Sequence, residues 1–327
     1  MEYRTLGKTQ LRISAVSFGT WALGGAWGAV VDDRTARDAL SFAMDQGVNF
    51  FDTADVYGNG RSEQLLGMVA GHRNNIIIAT KFCRGGDIQD PATYSYEQVK
   101  AYATASLRRL QRERIDLYQI HCPPTRVIEQ GDVFGVLDRL KEEGLVHHYG
   151  VSVETVDEGL KAMKYPGVSA LQVILNVFRQ KVVTELLPEA ESQQVGLLAR
   201  VPLASGLLTG KFQRGERFAE DDHRNFNRDG AAFNVGETFA GLPFDKGVAL
   251  VNQLAWIAQN RTNMAAAALR WILDQKGVTS VIPGFKNAEQ VAANLKALDA
   301  APFNDDELQR LAEFYQTAVA PNIRGPY

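Results

Sequence analysis

The chain has 327 residues, 45% of them hydrophobic and 22% charged, which is the composition of an ordinary globular protein long enough to bury a sizeable core. A net charge of -3 gives no electrostatic reason to expect nucleic acid or an anionic membrane as partner. Two cysteines, Cys83 and Cys122, are too few for a disulfide framework and lack metal-ligand spacing, no apolar run reaches the roughly 18 residues of a membrane span, and the opening MEYRTLGKTQ has no apolar signal region, so a cytoplasmic protein is expected.

In chain order, YRTLGKTQLRIS reads as a hairpin turning at Gly7-Lys8. Eight short apolar or β-branched runs come next, at 15–19, 48–52, 76–81, 116–121, 148–152, 170–175, 196–201 and 278–282. Helical patterns separate them: DRTARDALSFAMDQG with Gly47 where a C-cap belongs, SYEQVKAYATASLRRLQ, and IEQGDVFGVLDRLKEEG. Strands without alternation, each followed by a helix, indicate a parallel sheet covered on its faces. Eight such units favour an α/β fold of the (β/α)8 TIM-barrel kind, one domain over 1–327, with the hairpin across its bottom. Residues 206–243 break the rhythm: they are rich in Gly, Asp, Asn and Phe and weak in periodicity. Connections of that length are usually functional, and a lid over the barrel mouth is the expectation.

In such a barrel the reacting groups stand where the strands end at their C-terminal rim. Asp52 ends the second predicted strand and Tyr57 stands in the loop after it; Lys81 ends the third and His121 the fourth. Each alone has an ordinary structural explanation, and their joint placement on one rim is what points to chemistry. Carbonyl reduction fits the set. Hydride addition leaves an alkoxide that needs a proton donor and a positive field. A phenol is a weak acid near neutrality, and an adjacent ammonium should lower its pKa. Tyr57 is then the acid, Lys81 its tuner, Asp52 the anchor of Lys81, and His121 the group that orients the carbonyl oxygen.

The runs DTADVY (52–57), ATKF (79–82) and DLYQIHCP (116–123), in this order and spacing, resemble the aldo-keto reductases, and the resemblance extends from FGTW (18–21) to VIPGFKNAEQVAANL (281–295). It is similar to the bacterial branch that includes general stress and inositol-associated reductases and lies near the potassium-channel β-subunits. The resemblance implies a Tyr57, Lys81, His121 and Asp52 tetrad, an extended NADPH, no metal, and a small-molecule carbonyl substrate. It also implies a distributed cofactor site. Gly19, Thr20 and Trp21 match the first-strand contact, next to Asp52. Ser152 and Gln172 match contacts to the nicotinamide amide. Pro202, Leu203, Ala204, Ser205, Gly206, Leu207 and Lys211 match the loop over the pyrophosphate. Gly284, Lys286, Gln290 and Asn294 match the adenosine end, with Lys286 toward the 2′-phosphate. After the first strand stands GTWALGGAWG, which lacks the spacing of a GxGxxG fingerprint, so a cofactor has to be held some other way; the distributed site is what the resemblance implies.

Three positions depart from the family pattern: Cys122 where Trp is frequent, Val153 where Asn is usual, and Arg200 where an aromatic stacks on the nicotinamide. A planar guanidinium can stack too. Its charge beside an oxidised ring is expected to weaken NADP⁺ relative to NADPH. The ammonium near Cys83 is expected to promote its thiolate. The rim loops Trp21–Trp27, Thr125–Ile128 and 206–243 are the expected carriers of specificity. A nucleotide-binding regulatory protein of the channel β-subunit type is the alternative to an enzyme. A metal-dependent hydrolase would need clustered His and carboxylate ligands that the five histidines do not supply. Oligomeric state is not legible.

Overall fold

The computed structural model describes residues 1–25 and 27–327. Ala26, inside the expected Trp21–Trp27 rim loop, lies outside the described residues. The expected hairpin is present: β1 (Tyr3–Thr5) pairs antiparallel with β2 (Arg12–Ser14). Eight parallel strands come after it, β3 (Phe18–Gly19), β4 (Phe50–Asp52), β5 (Ile77–Phe82), β6 (Ile115–His121), β7 (Val146–Ser152), β8 (Val168–Ile174), β9 (Gly196–Arg200) and β10 (Val278–Val281). Each lies beside its neighbour in sequence. The seam between β10 and β3 closes through the bridges Val16 to Val281 and Gly19 to Gly284, with Ser17 N–H donating to Val281 O at 2.9 Å. The result is the expected (β/α)8 barrel.

Period-two alternation along the strands sorts the barrel interior into levels. Phe50, Ala79, Leu117, Ala170 and Leu198 form the lower apolar level, together with Leu6 and Ile13 of the hairpin. The hairpin therefore plugs the bottom. Gly7, at φ +49, presses against the β8–β9 end, where a Cβ would come within 2.4 Å of Gln194 O and Gly196 N, so this turn demands glycine. Two residues further along the same strand faces stand Asp52, Lys81, Gln119, Gln172 and Arg200. Their strands switch from apolar to polar at one height, just below the rim. The outward strand residues pack under the helices, as in the cluster of Phe51, Leu65, Leu66 and Ile78.

Two expectations change, and a third is filled in. The run 15–19 forms a strand only at 18–19, because the barrel seam uses isolated bridges there. The helix expected across 128–144 is two helices, Thr125–Gln130 and Asp132–Glu142. Gly131 at φ +83 ends the first and starts the second, and a Cβ there would meet the Tyr165 hydroxyl at 2.5 Å. The 206–243 segment is folded into short turns, including His223–Phe226 and Val235–Glu237. Its phenylalanines explain the order: Phe218 and Phe239 pack with Phe212 and Phe244 at centroid distances of 4.9–5.9 Å.

Candidate active site

The strand ends bring Asp52, Tyr57, Lys81 and His121 together. Lys81 Nζ donates to Asp52 Oδ1 at 2.5 Å, to Thr53 O at 2.9 Å and to Tyr57 Oη at 3.3 Å. All three ammonium protons have acceptors. Asp52 Oδ2 receives Gln119 Nε2 at 3.0 Å and Gln172 Nε2 at 2.7 Å. Lys81 and Asp52 are both buried, and a buried ion pair holds only when its remaining donors and acceptors are met, as they are here. His121 stands edge-on to the Tyr57 ring at 5.8 Å. Trp21 is stacked with Tyr57, 6.1 Å away at 27°.

The electrostatics refine the expected acid. Burial pushes the Tyr57 phenol above its ordinary value, and the Lys81 ammonium only partly offsets this. The expectation of a lowered phenol is thereby corrected: desolvation outweighs the cation, and the resting phenol is protonated. Burial also acts against the Lys81 charge, but Asp52 and Tyr57 outweigh it and hold the ammonium charged. Burial, with Arg84, Lys81 and Arg200 nearby, holds His121 well below its ordinary value, so the imidazole is neutral. Cys83 is pushed up to about 12 by burial, which overturns the expectation of a promoted thiolate.

The expected cofactor residues divide. Val201, Ala204, Ser205 and Gly206 all have positive φ, between 48° and 99°, so the loop after β9 folds back on itself. Within it Ala204 N–H donates to Val201 O at 3.0 Å and Gly206 N–H to Leu203 O at 2.9 Å, so the tight fold of the loop uses two of its own donors and brings the Leu203 and Ser205 amides close together. Pro202, Leu203 and Leu207 belong to this loop; Leu207 is buried as a whole residue and packs into the core. The Ser205 hydroxyl points elsewhere: it donates to Glu237 O at 3.0 Å and accepts from Phe239 N at 3.2 Å, fastening the lid. Thr20 is likewise occupied, its Oγ1 donating to Asp52 O at 3.0 Å and accepting from Ser62. Gly19 sits at the seam with β10. At the expected adenosine end Gly284 has open space where a Cβ would stand. Lys286 Nζ donates to Trp27 O, its backbone N–H to Gln290 Oε1 at 2.7 Å, and Asn294 Nδ2 to Gly284 O at 3.1 Å. Lys211 is exposed just after the loop that follows β9. Ser152 is buried with its hydroxyl 3.5 Å from Cys122 Sγ. The back-folded loop after β9, an open glycine and a lysine in this order fit an extended dinucleotide.

Arg200 differs most from its expectation. Its guanidinium pairs with Glu237 Oε2 at 2.5 Å and donates to Val153 O at 3.1 Å. Glu237 comes from the lid, so the charge expected to face an oxidised ring is neutralised by a residue 37 positions later. The lid also lays His223 on Trp21 and Trp27, at 4.8 and 4.2 Å, Phe233 on Trp21 at 5.9 Å, and Asn234 on Glu154 at 2.8 Å. Residues 206–243 thus cover the mouth as expected. Cys122, Glu154 and Glu237 bring ligand-type atoms within 4.8 Å of one another. Arg84 and Arg200 already hold the two carboxylates, and the cluster does not fit a cation.

Sequence reasoning missed Gln119, Arg84, Glu154, Arg179 and Glu237. Gln119 had a signal, since it lies two residues before His121 on the same strand face. The others lie on loops without periodicity.

Residues 15–316 match the model of the Aldo/keto reductase family. The aldo-keto reductase YhdN of Bacillus subtilis is 30% identical over 335 residues, covering 100% of this chain and 97% of its own. A probable voltage-gated potassium channel subunit beta of Arabidopsis thaliana is also 30% identical, covering 92% of each. Among solved structures, the glycerol dehydrogenase AKR11B4 of Gluconobacter oxydans is 29% identical with a TM-score of 0.77, covering 99% of this chain and 98% of its own. The holo form of aldo-keto reductase AKR11C1 of Bacillus halodurans is 26% identical with a TM-score of 0.76, covering 98% of each. The chain belongs to the aldo/keto reductase family and is an NADP-dependent carbonyl oxidoreductase of that family.

Proposed function

We propose that the chain, acting as one domain, reduces aldehyde or ketone carbonyls to alcohols with NADPH, Tyr57 donating the proton. The observation that carries this reading is the arrangement at Tyr57: its hydroxyl lies 3.3 Å from an ammonium whose other two protons are held by Asp52 and Thr53. Bound NADPH supplies the hydride. The backbone amides of Leu203 and Ser205, with Gly284, Lys286, Gln290 and Asn294, would hold it along the rim. As the carbonyl oxygen gains negative charge, the Tyr57 phenol gives it a proton, and Lys81 stabilises the phenolate left behind. His121 is neutral and so carries one N–H. Its Nδ1 is buried without a partner, which leaves Nε2 as the donor to the carbonyl oxygen. Trp21 and the lid residues His223 and Phe233 wall the reacting carbonyl from water.

The test is Tyr57→Phe. NADPH oxidation with a panel of aldehydes should fall by about two orders of magnitude or more while NADPH still binds. Near-parental turnover removes Tyr57 as the acid. The likeness to potassium-channel subunits favours one second reading, a nucleotide-binding regulatory protein. Tight NADPH binding with no turnover of any aldehyde by the parent chain would establish it over the first.

A further inference from the structure

Three arginines and two glutamates meet under the lid. Arg84 Nη2 binds Glu154 Oε1 at 2.9 Å, and Arg200 Nη1 binds Glu237 Oε2 at 2.5 Å. Both carboxylates are thereby matched, and the third guanidinium, Arg179, is left over. It is 2% exposed, and among the described residues none of its Nε, Nη1 or Nη2 meets an acceptor. Its guanidinium carbon lies 4.5 Å from the centre of the Tyr327 ring, and Gly236 packs so closely that a Cβ there would come within 1.9 Å of Nη2. Arg179 lines a small cavity, of about 10 Å³, together with Glu154, Lys181, Tyr327 and the apolar Val156, Val173 and Val182.

A buried cation with no hydrogen-bond acceptor is costly, and arginine does not escape by losing its proton at neutral pH. Burial lowers it only to about 10. A planar fork of donors held without acceptors is the geometry that receives a carboxylate or phosphate bidentately. Its place on the rim says which molecule brings that anion. Arg179 lies just after β8, between β7 and β9. Its neighbour Gly236 adjoins Glu237, which holds Arg200, and Arg200 Nη2 lies 3.6 Å from Cys122 Sγ, beside His121. The candidate pyrophosphate and adenosine residues stand after β9 and β10 instead.

We propose that Arg179 anchors an anion site on the substrate side of the mouth, so that the preferred carbonyl substrates carry a carboxylate or phosphate group. The identity of the occupant as substrate rests on the reductase reading; the anion site itself does not. Because the cavity holds at most about one water molecule, the anion enters by displacing the Tyr327 side chain or the Asn234–Glu237 turn.

The experiment compares kcat/KM for matched pairs: 4-oxobutanoate against butanal, and glyceraldehyde 3-phosphate against glyceraldehyde. The parent should favour the anionic member of at least one pair, and the favoured pair says whether carboxylate or phosphate is read. Arg179→Gln should reduce that anionic-to-neutral ratio about ten- to a hundredfold, chiefly through KM, and Arg179→Lys should recover part of it. Calorimetry of benzoate and of inorganic phosphate with the NADPH-bound protein gives a readout independent of turnover, and Arg179→Gln should abolish the binding. Arg179→Met should leave the melting temperature level or higher, because it removes an unpaired buried charge; a merely structural arginine would lower it. If Arg179→Gln fails to fold, Gly236→Ala displaces the guanidinium without deleting it and should lower the same ratio. An unchanged ratio in the folded variants overturns the site. Turnover of neutral aldehydes with no anionic preference leaves the reductase standing and removes the site; benzoate binding through Arg179 without turnover of any aldehyde does the reverse.

Discussion

Asp55 offers a sharp test of the electrostatics behind Tyr57. It sits in the loop between Asp52 and Tyr57, its backbone N–H on Lys81 O at 3.3 Å and its Oδ1 buried without a partner. Burial, then the like charge of Glu63, pushes its carboxyl up to about 7 from an ordinary 3.8. The folded chain therefore keeps this proton to about pH 7, whereas the unfolded chain releases it near 4. Between those values the folded state binds more protons, so stability falls as pH rises, and above 7 the full penalty applies. A shift of about three units sets a ceiling of roughly 4 kcal/mol, at 1.36 kcal/mol per unit. Partial exposure of the residue screens the charge and brings the working figure to about 2 kcal/mol. Asparagine keeps the shape and carries no charge at any pH. Asp55→Asn should thus exceed the parent by about 2 kcal/mol at pH 8 and by less than about half of that at pH 5, measured as urea midpoints with unchanged slopes. An equal difference at the two pH values would refute the titration of Asp55 as the cause.

Two further outcomes test the mouth and the floor of the site. Glu237→Gln removes the carboxylate that neutralises Arg200, so the uncovered guanidinium should weaken NADP⁺ against NADPH by about three- to tenfold in fluorescence titrations; an unchanged ratio of the two constants would show that Arg200 does not face the nicotinamide. Gln119→Leu withdraws one of the two amides on Asp52 Oδ2 and should lower kcat about tenfold while moving the alkaline limb of its pH profile, whereas a parental profile would reduce Gln119 to packing.

The range over which each interaction acts decides how much of it can be read from the chain. The eight strands and the tetrad are legible because both depend on local rules. A buried parallel strand is a short apolar run, and a polar residue at its C-terminal end falls on the rim. Asp52, Lys81 and His121 satisfy that rule without reference to distant sequence. The break at Gly131 was legible in principle, since a glycine followed by Asp interrupts an otherwise continuous helical pattern, but the apolar spacing on either side reads through it. The direction of the Tyr57 shift was not legible, because it is the balance of burial against one cation, and burial depth belongs to the assembled barrel.

The lid carries the least legible part of the site for a physical reason. Its order comes from phenylalanines packing on one another and from Ser205, which ties Glu237 and Phe239 down. Neither signal has a period. Once the segment is fastened, Glu237 reaches Arg200 and Gly236 reaches Arg179, joining positions 37 and 57 residues apart. The same turn therefore settles the charge beside the candidate nicotinamide position and the packing of the unmatched guanidinium. Any movement of residues 234–237 must change both at once. Substitutions in this turn should consequently couple cofactor preference to substrate preference, which separate rim loops would not do.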